Sequence, residues 1–367
     1  MCDVPALRFP EFNGEWITRP IKDIADFIGG GTPSSANEAY WQGTIPWVSS
    51  SDIVEDNIND ITISRYITEE AISNSATKLC SAPVILIVSR VGVGKVALSS
   101  KAICTSQDFC NLINIKVHPT FLAYSLSQIM KRKSIEVQGT SIKGITSLEI
   151  QKIILHIPSL QEQHKISDLF QLIDKRIAVQ SKIIEDLRLL IKGIIETVTS
   201  SQKPNTLIKD CLECNSSILQ ESQVAKYGAF SVYGATGITG YTEAADVNGE
   251  SILIIKDGSG VGTVKYVTGE YSYIGTLNRL IAKDGYCLKY IYFALQRFSF
   301  EPYKTGMAIP HIYFRDYGKA KIYCPSLSLQ TLIAQKLSLI ENEMEVEKRI
   351  ILCYQLQKSY LLSRMFI

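Results

Sequence analysis

The sequence predicts an α/β (α+β) protein in which two pseudo-twofold-related globular parts are separated by two long antiparallel coiled-coil helices. Three observations carry this prediction. The second half of the chain repeats part of the first at a fixed offset, each copy ends in a strict heptad pattern, and the intervening stretches hold short apolar runs bounded by glycine-rich turns. A chain of 367 residues has room for two or three domains.

The repeat is clearest towards the end of each copy. Without gaps, residues 139–199 match residues 306–366 at 15 of 61 positions, an offset of 167 residues. The matches include the segments Pro158-Ser159-Leu160 and Pro325-Ser326-Leu327. Proline suits the start of a helix, where its missing N–H costs nothing. The chain therefore contains two copies of one design, a globular part followed by a long helix.

Each predicted helix carries one apolar seam whose positions advance by alternating steps of four and three residues, as in a coiled coil. Neither helix contains an internal proline, and about 40 residues at ~1.5 Å each give a length of roughly 60 Å. The simplest partner for each seam is the other copy, in an antiparallel pair whose facing residue numbers sum to 531. The alternative is that each helix packs on its own globular part. The predicted seam comprises Ile166, Phe170, Ile173, Ile177, Ile184, Leu187 and Ile191 in the first helix, and Ile333, Leu337, Ile340, Met344, Ile351, Tyr354 and Leu361 in the second.

The globular parts have the signals of mixed α/β domains. Residues 82–88 and 251–256 are apolar runs typical of buried strands, and glycine-rich turns follow both. Short helices are predicted at Pro119–Arg132 and Leu288–Arg297.

Composition excludes several classes of protein. Hydrophobic residues make up 46% and charged residues 20%, which is ordinary for a globular protein and argues against disorder. No apolar run reaches the roughly 18 residues that span a bilayer, and the N-terminus lacks the features of a secretory signal. Nine cysteines scattered along the chain fit reduced intracellular thiols better than a disulfide framework.

Charge is distributed unevenly within each half. Residues 1–70 carry a net charge of −8 and residues 71–135 a net charge of +7. The pattern recurs as −3 over residues 200–250 and +5 over residues 251–325. A basic segment can bind phosphates, although these charges are equally compatible with a solvated surface.

The motifs that normally carry catalysis or hold metals are incomplete. Residues 90–95 lack the first glycine of a P-loop, and valine follows the lysine where serine or threonine is needed. Cys211 and Cys214 form the only CxxC, half of a structural zinc site. The histidines are scattered, and the Asp/Asn-Pro-Pro-Tyr/Phe motif of amino-group methylation is missing. We therefore predict no catalytic residue and no metal site, and a binding or scaffolding role.

Several stretches together resemble the specificity (S) subunits of type I restriction-modification systems. The resemblance covers essentially the whole chain, and the duplicated layout matches as well. The stretches are Leu7-Arg8-Phe9-Pro10-Glu11-Phe12-Asn13-Gly14-Glu15-Trp16, Gly30-Gly31-Thr32-Pro33-Ser34, residues 45–53, residues 157–166, residues 232–241 and Ile309-Pro310-His311-Ile312.

The resemblance implies a non-catalytic subunit that reads double-stranded DNA. Target-recognition domains at residues 1–157 and 201–324 would each read one half of a bipartite, asymmetric site. Conserved-region helices at residues 158–200 and 325–367 would set the half-site spacing and dock two methyltransferase (M) subunits. Those subunits would bind S-adenosylmethionine and methylate adenine N6. Restriction (R) subunits using ATP and Mg²⁺ would complete a prokaryotic, cytoplasmic complex, and no cofactor is expected on this chain.

Candidate DNA contacts are polar, aromatic and basic side chains of the glycine-bearing loops, which suit phosphates and base edges. The alternative for each of these residues is that it caps a loop or is a solvated charge without contact to DNA. The DNA-binding candidates are Thr32, Ser49, Ser51, Arg90, Lys95, Gln107 and Lys143 in the first domain, and Tyr233, Thr236, Lys256, Lys265, Asn278, Arg279, Lys304 and His311 in the second. Contacts to M subunits are expected near Gln161, Glu162, Lys165, Lys175 and Arg176, and the second copy lacks an equivalent of Glu162.

Two other functions stay open at this point. A solitary DNA adenine methyltransferase would have to bind S-adenosylmethionine by itself. A coiled-coil adaptor that does not bind DNA would retain no duplex from a randomised pool.

Overall fold

The computed structural model describes residues 4–138, 144–200 and 202–367. Contacts divide the chain into two compact units, and each unit includes half of both long helices. Of the described residues, unit 1 comprises 4–138, 144–180 and 350–367, and unit 2 comprises 181–200 and 202–349. The predicted recognition-domain boundaries instead separate globular parts from helices, and they stay a prediction.

Unit 1 contains two four-stranded sheets and a two-stranded ladder. Its elements are β1 (Ile17–Pro20), β2 (Asp26–Gly29), β3 (Ile45–Val48), β4 (Arg65–Ile67), α1 (Glu69–Ser73), β5 (Leu79–Cys80), β6 (Val84–Val88), β7 (Val96–Ser99), β8 (Ile103–Thr105), β9 (Phe109–Ile113), α2 (Pro119–Gln138), α3 (Ser147–Gln151), β10 (Ile154–Ile157) and the first half of α4 (Leu160–Ser200). The sheets have the orders β2-β9-β6-β7 and β4-β3-β8-β5, in which only β3 and β8 pair in parallel.

The buried strand β6 explains how two cores share one sheet. All five of its residues are buried, because it lies between β7 and β9 and both of its faces are covered. Side chains alternate between faces along a strand. Ile85 and Ile87 therefore belong to the core that includes α2, whereas Val84, Leu86 and Val88 belong to a second core.

Unit 2 repeats this architecture strand for strand. Its elements are β11 (Thr206–Leu207), α5 (Ile208–Cys211), β12 (Leu212–Ser216), β13 (Phe230–Gly234), β14 (Gly237–Thr242), β15 (Val247–Asn248), β16 (Ser251–Ile255), β17 (Val264–Val267), β18 (Glu270–Tyr273), β19 (Leu277–Ala282), α6 (Leu288–Arg297), α7 (Phe314–Tyr317), β20 (Lys321–Ile322) and α8 (Leu327–Met365), whose last residues belong to unit 1. The sheet orders are β12-β19-β16-β17 and β14-β13-β18-β15, with β13 and β18 parallel. Every strand of the first copy thus has a counterpart in the second.

The two long helices have the predicted length. Helix α4 is 41 residues long and α8 is 39, and each begins two residues after the proline predicted to precede it. In unit 1 the start of α4 packs against the end of α8, and the ring of Phe170 lies 5.9 Å from that of Phe366, the residue that follows α8. In unit 2 Val198, near the end of α4, and Ile333, near the start of α8, pack on the same core. In unit 1 the two helices therefore run antiparallel, and in unit 2 they share one core.

Burial along the two long helices follows the heptad pattern, and the seam itself stays a prediction. Every predicted seam residue of α4 and α8 is buried or half-buried. The helices also pack on the globular parts, since the ring of Phe170 lies 5.1 Å from that of Tyr124 in α2. The two sequence-based alternatives for the partner of each helix are therefore both realised.

A buried ion pair crosses between the helices within unit 1. Asp174 of α4 and Lys358 of α8 lie 2.5 Å apart, with side chains only 10% and 9% exposed, and their numbers sum to 532. The hydroxyl of Tyr124 (2.6 Å) and the amide of Asn59 (2.9 Å) donate to the same carboxylate. Lys358 also donates to the Asp56 carbonyl at 3.0 Å. Burial, together with the neighbouring Asp174 carboxylate, raises the pKa of Tyr124. The network joins both helices to the first globular part.

A repeated glutamine fixes each domain helix to a long helix. The Gln163 side chain accepts a hydrogen bond from His118 N, just before α2, at 2.9 Å. Gln330 accepts from Cys287 N, just before α6, at 3.0 Å. Each amide also donates to the carbonyl of the proline preceding its long helix. Both glutamines are buried. Each accepts a hydrogen bond from a backbone N–H at a helix N-terminus, where such groups have no partner within the helix.

The expected partner contact at Glu162 is wrong for that side chain. Glu162 is fully buried, and Arg8 binds both of its carboxylate oxygens at 2.7 and 2.8 Å. The N-terminal segment is also held by a hydrogen bond from Leu7 N to Arg364 O at the end of α8. Glu162 therefore anchors the N-terminal segment within unit 1.

Within the described residues, no helix is long and apolar enough to cross a membrane. The same residues contain no group of three histidine, cysteine or acidic side chains that could hold a metal ion.

Replacing Lys358 with methionine tests the buried ion pair. The Asp174 carboxylate would stay buried without its cation, a loss that costs about 3–5 kcal/mol in buried pairs. Two hydrogen bonds to Asp174 remain, so we expect the free energy of unfolding to fall by about 3 kcal/mol. Urea denaturation followed by circular dichroism measures the change. The control Lys182→Met removes two exposed ion pairs, with Glu185 and Asp186, and should cost less than about 0.5 kcal/mol. Equal losses in the two variants would contradict a structural role for Lys358.

Candidate nucleic-acid interface

The loop between β6 and β7 presents the first group of candidate DNA contacts. Ser89 fixes its start, because its N–H and hydroxyl both donate to Asp108 O and its carbonyl accepts from Ile145 N. Beyond this anchor, Arg90 is exposed. The loop joins two antiparallel strands. A P-loop instead joins a strand to a helix, so the geometry argues against nucleotide binding here.

Arg90 and Gln107 line the same open cleft of unit 1, together with Gly144 and Thr146. Gln107 accepts a hydrogen bond from the Thr32 hydroxyl at 2.5 Å. The structure therefore brings three candidates, Thr32, Arg90 and Gln107, to neighbouring positions. Lys143 lies outside the described residues.

Ser49, Ser51 and Lys95 form a second group in unit 1. The two serine hydroxyls are 2.8 Å apart, and Lys95 Nζ donates to the carbonyl of the intervening Ser50 at 3.2 Å. Asp52 caps this turn by accepting from Ser49 N and Oγ at 2.7 and 2.9 Å. The turn that follows β3 and the β6–β7 loop are therefore in contact.

Sequence reasoning missed Arg65, which supports this second group. Arg65, on β4, donates to Ser49 Oγ at 2.7 Å and forms an ion pair with Asp52. Its guanidinium also lies 4.5 Å from the centre of the Trp47 ring, a cation–π distance. Only the pairing of β3 with β4 brings Arg65 here, and nothing in the local sequence indicates that pairing.

In unit 2, Tyr233, Thr236 and Lys265 line one pocket of about 190 Å³ whose floor includes Leu253 and Leu277. Lys265 Nζ lies 4.6 Å from the centre of the Tyr233 ring. A half-buried aromatic ring beside an ammonium group can contact both a base and a phosphate. This pocket groups three of the candidates that the sequence indicated.

Lys256, Lys304 and His311 belong to a second group in unit 2. His311 Nδ1 and Asp257 Oδ1 are 2.9 Å apart, and Lys256 forms an ion pair with the other Asp257 oxygen. Lys304 pairs with Glu301. Partial burial acts to raise the pKa of Asp257, but the hydrogen bonds from Lys256 and His311 outweigh it and hold that pKa below its usual value.

Asn278 and Arg279 lie in strand β19 instead of a loop. Asn278 is only 5% exposed and accepts a hydrogen bond from Ser216 Oγ at 2.8 Å. Arg279 donates to Ser251 Oγ at 2.7 Å. Because the Asn278 amide is enclosed by neighbouring strands, it cannot meet a base edge without opening the sheet, and we leave it out of the interface.

The fold and its loops define a duplicated protein with two α+β domains and a pair of long helices, in which each domain presents basic and polar loop side chains. The family model described as "Type I restriction modification DNA specificity domain" matches residues 13–189 and 207–352. The chain therefore belongs to the family of type I restriction-modification DNA specificity proteins.

Two curated relatives carry the same kind of description. The chain is 31% identical over 187 residues to the type I restriction enzyme MjaIX specificity subunit of Methanocaldococcus jannaschii, a match covering 48% of this chain and 42% of the relative. It is 30% identical over 195 residues to the EcoR124I/EcoR124II specificity subunit of Escherichia coli, covering 49% and 45%. Each match spans less than half the length of the relative.

Solved structures show the same fold. The S subunit of a type I restriction-modification system from M. genitalium matches with a TM-score of 0.68 at 18% identity, covering 99% of both chains. A chain from a structural study of complex assembly and conformational transition in the type I R-M system matches with a TM-score of 0.55 at 14% identity, covering 95% of this chain and 96% of that one.

The lowered pKa of Asp257 predicts how acid affects unit 2. A carboxyl group whose pKa lies below its usual value of 3.8 stabilises the fold above that pH, and the contribution is lost as the pH falls through the lowered value. Asp257→Asn should therefore lower the melting temperature at pH 6, and its deficit relative to wild type should shrink by pH 3. Thermal denaturation between pH 3 and 6 measures this. Asp284→Asn, at an exposed acid of the same unit, is the control. A deficit independent of pH would contradict the role of the carboxylate.

Proposed function

We propose that this chain is the non-catalytic DNA-specificity subunit of a type I restriction-modification complex. The observation that carries the proposal is the strand-for-strand duplication of a loop-presenting domain in a chain of the DNA-specificity family. Two domains of one architecture with different loop sequences suit two different half-sites on one duplex. Residues 1–157 and 201–324 would each read one half of a bipartite, asymmetric site.

The reading surface in each domain would consist of polar and basic side chains in loops and, in unit 2, also of Tyr233 in β13 and Lys265 in β17. Base edges in the major groove offer donors and acceptors that polar side chains can distinguish, whereas phosphates attract cations irrespective of sequence. Gln107 and Thr32 are the polar candidates beside Arg90 in unit 1. Tyr233 and Thr236 accompany Lys265 in unit 2. Each group pairs a side chain suited to base edges with one suited to phosphate.

The paired helices would set the distance between the half-sites. Rise along an α-helix is fixed at ~1.5 Å per residue, so a continuous helix of about 40 residues keeps a constant length. The seam and the crossing pair of Asp174 and Lys358 hold the register of α4 against α8 in unit 1. Such a register suits a spacer that determines how many base pairs separate the two half-sites.

The outer faces of the helices would dock two methyltransferase subunits. Both copies expose identical apolar residues at equivalent positions. Because these side chains lie outside the seam, the pairing of the helices does not explain them. These pairs are Leu172 and Leu339, Val179 and Val346, and Leu189 and Leu356. A repeated apolar face favours a repeated protein contact. Lys175 and Arg176 are exposed on α4 and would add charge to the contact there.

The chemistry would belong to the partners. The methyltransferase subunits would bind S-adenosylmethionine and methylate adenine N6, and restriction subunits with ATP and Mg²⁺ would complete the assembly in a prokaryotic cytoplasm. This chain would supply the sequence choice for both activities.

Selection from a randomised pool of DNA duplexes tests the proposal. We expect the full chain, co-purified with its methyltransferase partner, to retain duplexes that share two short fixed sequences at one constant spacing. On such a duplex, Lys265→Ala should lower the slope of log affinity against log salt by about 1, because one phosphate contact is lost.

Lys348→Ala is the matched control, since Lys348 is exposed on α8 and paired with Glu345. It should leave the salt dependence unchanged. A pool that yields no common sequence would contradict the proposed function and favour an adaptor that does not bind DNA. Binding of S-adenosylmethionine by the isolated chain would favour a solitary methyltransferase.

A further inference from the structure

An apolar loop tip projects from unit 2 beside the second candidate group. The tip spans residues 306–310, between the paired residues Thr305 and His311. Met307 at its end is fully exposed, and Ile309 is 58% exposed. Apolar side chains placed together in water need a partner surface more often than scattered ones do.

The base of this loop is firmly held. Thr305 N donates to His311 O at 2.9 Å, and His311 N donates to Thr305 O at 2.7 Å. Gly306 has a φ of 88°, and a Cβ added there would approach Ile309 O to 2.3 Å. Only glycine therefore permits this tight turn, which directs residue 307 to the tip.

The loop is also fixed to the turn that follows β16. Gly258 N donates to Pro310 O at 2.9 Å, and Ile312 N donates to Lys256 O at 3.0 Å. The Asp257 carboxylate binds the His311 ring on the same side. Three connections between two loops give the exposed tip a rigid support, as a wedge requires.

We propose that Met307 inserts at a base step of the DNA half-site read by unit 2. This inference rests on the proposed function and adds a mode of recognition to it. Apolar side chains such as methionine, leucine and phenylalanine can enter a base step and partly unstack it. A methionine in a five-residue loop that one backbone bridge closes has the shape and chemistry for such insertion.

The surroundings of the loop favour DNA over a protein partner. Lys304 and Lys256 flank the loop, and an ammonium group that uses one hydrogen for an acidic neighbour keeps two for phosphate oxygens. The charges of Asp257 and Glu301 offset those of the two lysines, so the net charge around the loop is close to zero. Such a loop can approach bases without competing for backbone phosphates at its tip.

The insertion predicts which sequences lie opposite Met307. Pyrimidine–purine steps such as TA and CA/TG unstack most readily, so insertion costs least there. The half-site read by unit 2 should contain one such step at the position that Met307 reaches. Discrimination at this step would come from deformability and not from hydrogen bonds to base edges.

The test uses the full chain with its methyltransferase partner and a duplex recovered from the randomised pool. We place 2-aminopurine, whose fluorescence rises on unstacking, at each pyrimidine–purine step of the unit 2 half-site. Wild type should raise the fluorescence at one step. Met307→Ala should abolish that rise and weaken binding about tenfold, in the range of one mismatched base pair. Met307→Leu, which keeps an apolar wedge, should retain both.

Tyr227→Ala, at an exposed aromatic residue of unit 2, is the control and should change neither readout. If Met307→Ala binds the selected duplex as wild type does, or if no step gains fluorescence, the wedge is contradicted while the proposed function stands. Weaker co-purification of the methyltransferase with Met307→Ala, at unchanged DNA affinity, assigns the tip to a protein contact and overturns the wedge. A pool that yields no common duplex overturns both proposals.

Discussion

Burial of the heptad seam is the constraint on which this structure depends. An amphipathic helix of about 40 residues cannot leave its apolar stripe in water. In unit 1, α4 and α8 bury their stripes against each other and the globular part, and in unit 2 both pack on one core. The antiparallel direction follows from the chain itself, because α4 leads into the second globular part and α8 begins after it. Two kinds of polar contact add to this apolar packing. The Asp174–Lys358 pair crosses between the helices, and the repeated glutamines Gln163 and Gln330 connect each helix to the domain that precedes it.

Burial also determines which residues can take part in recognition. Strands β6 and β16 are buried along their whole length, each dividing its side chains between two cores. Substitution there would disturb packing on both faces of the sheet. The loops that follow these strands are not constrained by packing on both faces, so their side chains can differ between the two copies. One architecture can thus present two different surfaces, which is what a protein that reads an asymmetric site requires.

The sequence predicted the helices well because a heptad pattern reports burial directly. The duplication of the sheets was largely hidden, since buried strands need only apolar residues of suitable size and the two copies have diverged. The sequence could not show which polar side chains the sheets enclose, since Tyr233 and Lys265 also lie in strands but line a pocket. Ser49, Ser51 and Lys95 meet as loop neighbours, whereas Asn278 and Arg279 lie in a strand whose neighbours use their polar groups. Arg65 and the pairing of Arg8 with Glu162 depend on contacts between distant parts of the chain, which no local pattern indicates.

Lengthening both helices together tests the spacer role most directly. One heptad would be added after Ile184 in α4 and one after Glu347 in α8, two positions whose numbers sum to 531. The seam keeps its phase, and the pair grows by roughly 10 Å at ~1.5 Å per residue. Selection from a randomised duplex pool should then return the same two half-site sequences, separated by about three more base pairs at ~3.4 Å each. The original spacing, recovered with a folded variant, would contradict the account.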